Sequence, residues 1–260
     1  MYTLFHYTSI KTLELILRNQ TFRFQSLNFM DDPNEKKTSD FGDIGGFHFV
    51  SCWTSIEEES IPQWDRYGDD SRGVRININF ERIEEVFNTT QIILDDGSEV
   101  KIAPFLNPYT CPMLPSNGYL PKIIEVNYSK NSSDFVPSVY KYDGKETLIN
   151  LGINGKTKSY FWEFQKEVRF DVMFLPWSKN ELEEIWKRMG NFYPILFPAM
   201  LKEATLPLEY FDLKLNKEIF RTATLTFGPK ATNEDIQMIK DVINELDYKI
   251  PMTKSKIEMT

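Results

Sequence analysis

The sequence predicts an α+β fold. Strand-like runs outnumber helical ones and do not alternate regularly with them, which argues against a doubly wound parallel sheet. The 260 residues are 41% hydrophobic and include 20 Phe, enough for a sizeable core. One domain over residues 1–260 is expected, with a variable insertion around 88–157.

Tyr2 to Tyr7 reads as an aromatic-rich strand, and Thr8 or Ser9 can cap the helix after it. Ile10, Leu13, Ile16 and Leu17 then form an apolar stripe at helical spacing. Phe22 and Phe24 alternate with polar residues and predict a short strand, followed by a loop over 27–46. His48 to Trp53 is a strand, residues 55–61 are acidic and exposed, and Pro62 starts a short helix. Val74, Ile76, Ile78 and Phe80 share one face of a strand. Glu81 to Phe87 is a helical turn, and QIILDDGSEVKIA is a hairpin turning at DDGS. After a Pro-, Asn- and Gly-rich loop over 104–120, KIIEVNYS is a strand, and 131–157 stays undecided between loop, helix and insertion. WEFQKEVRFDVMF reads as one long strand, ELEEIWKRM as a helix, and PILFPAMLK as neither. EYFDLKL and IFRTATLTF are strands, and Thr232 caps NEDIQMIKDVINEL.

The formal net charge of -8 excludes a general binder of duplex DNA or of a membrane surface, since both roles need a dominant positive field. A single-stranded nucleic-acid substrate in a local groove stays compatible with it. No stretch is long and apolar enough to span a membrane. Few cysteines and no signal peptide predict a cytoplasmic setting. Cys52, Cys111, His6 and His48 include no close ligand pair, so no metal site is expected.

Four stretches carry polar groups suited to chemistry. His6-Tyr7-Thr8-Ser9 lies where a strand hands over to a helix, whose N-terminus adds partial positive charge. Taken alone, it is a half-buried histidine ahead of a hydroxyl cap. Asn28 to Pro33 with Glu35 reads as an Asx-type turn. In QWDRYGDDSRG, Trp64 and Tyr67 share a helix face and can stack on a planar ring or pack on the sheet, and Arg66 or Arg72 can meet a phosphate. In WEFQKEVRFD, strand alternation puts Glu163, Gln165, Glu167, Arg169 and Asp171 on one face, by itself a solvated face.

In this order, HYTS, LNFMDDPNE, SCWT, WDRYGDDSRGV and FWEFQKEVRF resemble a bacterial family of unknown function. Its members open with an H-Y-T/S junction and continue with N-D-P-x-E, W-x-x-Y-[GA]-D and a late E-x-E-x-R strand. The resemblance covers the chain except roughly 88–157. Met30 looks inserted before Asp31-Asp32, and Glu163 and Glu167 are spaced wider than E-x-E, with Gln165 between.

The opening LFHYTSIKTLELILRNQTFRF is also similar to the ADP-ribosyltransferase clade of nucleic-acid-modifying toxins. That similarity implies split mixed and antiparallel sheets with flanking helices, and NAD as cofactor. It implies that His6, Tyr7, Thr8, Ser9 and Asn28 bind NAD, that Tyr67 or Trp64 stacks on nicotinamide, and that Arg169 orients Glu167 or meets a phosphate. Glu167, in Gln165-Lys166-Glu167, is the implied catalytic residue: a carboxylate near the ribose stabilises the positive charge that develops as nicotinamide leaves. One such group is worth ~3–4 kcal/mol of barrier. On this reading Glu167→Gln abolishes activity with little change in melting temperature. The implied role is a toxin or anti-phage effector with an antitoxin or chaperone partner docking at KSKIEMT or at 131–157. The alternatives are a non-catalytic nucleotide- or partner-binding module, and a metal-dependent hydrolase using Asp65, Asp69 and Asp70.

Overall fold

A computed structural model describes residues 1–202, 206 and 208–258. Its centre is a ten-stranded sheet: β1 (Tyr2–Thr8), β2 (Thr21–Ser26), β3 (His48–Thr54), β4 (Val74–Phe80), β5 (Leu114–Pro115), β6 (Lys122–Glu125), β7 (Glu167–Leu175), β8 (Tyr210–Lys214), β9 (Thr224–Phe227) and β10 (Met252–Lys254). The main order is β6-β7-β3-β1-β4-β9-β10; β2 joins β3 to β8, and β5 pairs with the end of β7. All pairs are antiparallel except β9 with β10, so the sheet is mixed. Helices α1 (Ile10–Asn19), α2 (Ile61–Tyr67), α3 (Lys179–Met189), α4 (Tyr193–Leu201) and α5 (Asn233–Glu245) complete an α+β fold.

The local chemistry accounts for the elements. Ser9, not Thr8, caps α1 by accepting from the Thr12 N–H, and Thr232 opens α5 with a reciprocal capping box to Asp235. The predicted stripe Ile10, Leu13, Ile16 and Leu17 is buried, and α1 packs beside α5. Val74, Ile76, Ile78 and Phe80 are buried along β4, as period-2 patterning requires. The hairpin at DDGS forms between Thr90–Ile93 and Glu99–Ile102.

One feature of the pairing positions the site. β3 pairs with β1 only at Thr54 and with β2 only at Val50 and Phe49. The sheet therefore forks along Ser51–Trp53, and a cavity opens in the fork.

Several expectations need correction. WEFQKEVRFDVMF is not one strand: Tyr160–Gln165 forms 3-10 turns, Lys166 takes a left-handed φ of 40°, and β7 begins at Glu167. That break removes Glu163 from the face shared by Glu167, Arg169 and Asp171. The face is not solvated either, because all three are buried. IFRTATLTF splits into a helical turn, Ile219–Thr222, and β9. PILFPAMLK forms α4. Residues 131–157 hold the helical turn Ser132–Phe135, the hairpin Tyr140–Tyr142 with Thr147–Ile149, and the first residue of the strand Thr157–Ser159. Of the C-terminal segment, Lys254 lies in β10, the Ser255 N–H bonds the Phe227 carbonyl and the Lys256 N–H bonds Glu59, while Lys254, Lys256 and Glu258 stay exposed. Residues 259–260 of that segment lie outside the described residues.

Candidate functional site

The cavity in the fork has a volume of about 490 Å³. Its walls come from β1 (Phe5, His6, Tyr7), β2, β3 (Val50 to Thr54), α1 and α2, with Lys158, Gln165 and Glu167 at one end. Arg23 and Asp212 line it as well, paired through Nε and Oδ1 at 3.0 Å.

His6 lines the cavity from β1, and the fork gives its ring a partner. Nδ1 lies 2.8 Å from the Cys52 carbonyl oxygen. A carbonyl only accepts, so Nδ1 carries the proton and Nε2 keeps a lone pair. Burial lowers the His6 pKa below its ordinary value, against the opposing pull of that carbonyl, which keeps the ring neutral. The ring packs against Trp53 at 5.0 Å between centroids.

Glu167 stands where β7 begins, opposite Thr54 in the register. Arg169 Nε is 2.6 Å from one of its oxygens, and Lys158 Nζ is 2.6 Å from the other. Behind them, Glu35 bridges both cations: its Oε1 lies 2.9 Å from Lys158, without a well-angled hydrogen bond, and its Oε2 meets Arg169. Burial pushes the Glu167 carboxyl up, but the charges of Arg169 and Lys158 outweigh it and bring the pKa down to about 2. The Cys52 thiol beside it is pushed well above its ordinary value, by burial first and then by Glu167, so it is held as a thiol.

Tyr67 closes one side of the cavity. Its hydroxyl donates to Asp31 at 3.1 Å and accepts from the Gln165 amide. Burial, and next Asp31, push the phenol pKa up, so it stays protonated. Gln165 in turn accepts from Lys158 at 2.9 Å. A continuous polar chain therefore runs from Glu35 through Lys158 and Gln165 to Tyr67 and Asp31.

The structure brings His6, Tyr7, Tyr67 and Glu167 to one cavity and keeps the other expected residues out of it. Trp64 is fully buried, edge-on to Tyr7 at 4.7 Å, because α2 turns that side chain inward; it cannot stack on a ligand. Thr8 is buried, and the Ser9 hydroxyl is used on α1. The Asn28 Oδ1 lies against Gly45. Arg169 is buried behind Glu167 with its Nη1 donating to the Gly155 carbonyl at 2.7 Å, so its charge is spent on protein oxygens and not on a phosphate. The carboxylates proposed for a metal do not gather: no cluster of three or more His, Cys, Asp or Glu suited to a metal occurs among the described residues. Lys158, Gln63 and Cys52 line the cavity without having been singled out for it. Lys158 had no signal in the sequence, because Thr-Lys-Ser reads as an exposed edge.

No described helix is long and apolar enough to cross a membrane. No curated protein and no solved structure matches the chain. A family model does match, and its span runs through residues 88–157, the expected insertion, while leaving β1 and the Asp31-Asp32 turn outside. Over residues 63–170, from α2 into β7, the chain is similar to a family described as Protein of unknown function (DUF2971).

Proposed function

We propose that this chain is an NAD-dependent ADP-ribosyltransferase, acting in the cytoplasm as a toxin or anti-phage effector that modifies nucleic acid or protein. The observation that carries the reading is that His6, Tyr67 and Glu167, far apart in sequence, line one cavity of about 490 Å³. The same residues fit NAD chemically. Among the described residues the His6 Nε2 has no hydrogen-bond partner, and it is an acceptor for a ribose hydroxyl. The Tyr67 ring offers a face for a planar base. Phe22 and Trp53 give the cavity apolar walls, and in apolar surroundings a fixed negative charge acts more strongly than in water. Bound NAD would supply an ADP-ribosyl group, with nicotinamide as the group displaced. Glu167 then offers negative charge on the cavity wall, and His6 and Tyr67 orient what lies between them.

A second reading is favoured by one observation: both carboxylate oxygens of Glu167 are already held by cations. A ligand then meets a carboxylate whose charge is largely balanced, as suits a non-catalytic nucleotide- or partner-binding module, including one paired with an antitoxin.

Purified protein incubated with NAD labelled in its adenylate, together with RNA, single-stranded DNA or lysate, separates the two. Transfer of label or release of nicotinamide, lost in His6→Ala, supports the transferase. Saturable NAD binding with no cleavage selects the binding module. Neither binding nor cleavage by folded protein sinks both.

A further inference from the structure

We propose that Lys158 is a positioning residue of this site, fixing Glu167 and Tyr67 relative to one another; the inference rests on the transferase reading above. Four buried side chains form a closed ring of alternating sign: Glu35, Lys158, Glu167 and Arg169, with 1%, 3%, 5% and 1% of their surface exposed. Only Lys158 and Glu167 of the four also line the cavity.

The geometry decides what Lys158 does. An ammonium has three N–H donors. Three oxygens surround this one: Glu167 Oε2 at 2.6 Å, Gln165 Oε1 at 2.9 Å and Glu35 Oε1 at 2.9 Å. Two of the donors are used in well-angled hydrogen bonds, to Glu167 and Gln165, and Glu35 Oε1 balances the charge without taking the third, so Lys158 is committed mainly to protein oxygens despite facing the cavity. It instead holds two functional groups together. One arm fixes the carboxylate. The other fixes the Gln165 amide, which bonds the Tyr67 hydroxyl. The Trp162 ring, 5.5 Å from the ammonium, covers it.

The strand that carries Lys158 supports the same role. Thr157–Ser159 pairs in parallel with Asn127–Ser129, and the Tyr128 hydroxyl of that partner accepts the Glu167 N–H at 2.8 Å. One small ribbon therefore holds Glu167 at its main chain and at its side chain. Glu167 remains ionised in part because of the Lys158 charge.

The test compares wild type with Lys158→Met and Lys158→Arg, reading NAD cleavage against pH and, separately, the titration of Glu167 by carbon NMR of labelled glutamate. In folded K158M we expect kcat to fall on the order of 10²-fold through misplacement of the carboxylate, with a smaller change in KM. We expect the acid limb of its pH profile to move upward, and the Glu167 titration with it. K158R keeps the charge and returns the acid limb toward wild type. Folded K158M with a wild-type pH profile and a wild-type Glu167 titration overturns the inference. Should K158M not fold, Gln165→Met breaks only the arm to Tyr67; it is expected to lower kcat without moving the acid limb, and an unchanged kcat overturns the proposal. If wild type cleaves no NAD, the transferase reading fails, and the Glu167 titration in K158M alone decides the role of Lys158.

Discussion

At the scale of single residues, the Lys158 and Arg169 contacts to Glu167 reverse one expectation. Glu167→Gln was expected to spare the melting temperature. The side chain instead neutralises two buried cations, and removing one partner of a buried ion pair typically costs roughly 3–5 kcal/mol. The variant should therefore be less stable by about that much at neutral pH. Its pH dependence follows from the same contacts. The carboxyl ordinarily titrates at 4.5 and is held at about 2 in the fold, so its contribution is fully present above 4.5 and is lost as pH falls toward 2. Urea unfolding of both proteins at pH 7 and pH 3 should show a gap that narrows on acidification; equal stabilities at pH 7 would refute the ion-pair account. Much of the site could be read in the sequence because its parts are local. His6 sits at a strand-to-helix junction, Tyr67 near the end of a short helix, and Glu167 in a strand with Arg169 and Asp171. What could not be read was depth. Trp64 and Tyr67 share a helix face in principle, yet one is buried and the other opens onto the cavity, a difference set by how α2 docks on β1. Lys158 was invisible because its significance lies in oxygens of Glu35, Gln165 and Glu167 that only the folded chain gathers around it.

At the scale of elements, periodicity served well wherever one face meets the core. α1, β4 and α5 appear with the boundaries that caps and alternation predict. Patterning failed across Tyr160–Gln165, where aromatic and polar residues alternate but the backbone turns instead of extending. The 3-10 turns there are fixed by tertiary partners, including Gln63 bonding the Phe164 and Gln165 carbonyls, which no local rule reports. The antiparallel pairing of β1 and β4 at their Thr8 and Val74 ends depends on one glycine. A Cβ on Gly73 would lie 2.1 Å from the Thr8 carbonyl oxygen, a backbone atom that cannot turn aside. Gly73→Ala should therefore cost about 1–3 kcal/mol, the usual penalty of overpacking, and loosen the end of β1 just beyond His6. Denaturant titration, with amide exchange at Tyr7 and Thr8, measures both effects. Wild-type stability in that variant would show that the strands can part without loss.

At the scale of the whole molecule, charge and topology set the limits. With a formal net charge of -8, the chain should show no measurable retention on duplex DNA in filter binding at physiological salt. Tight salt-dependent retention would mean that a basic stripe outweighs the total. The sheet order has a consequence for how the cavity comes into being. His6 and Glu167 line one cavity from β1 and β7, two strands that β3 separates in the sheet. Joining them needs strands far apart in sequence to pair, β1 with β3 and β3 with β7. Such long-range pairing is slow to form. The hollow accordingly exists only once these three strands have met, a property of the assembled sheet and of no single segment.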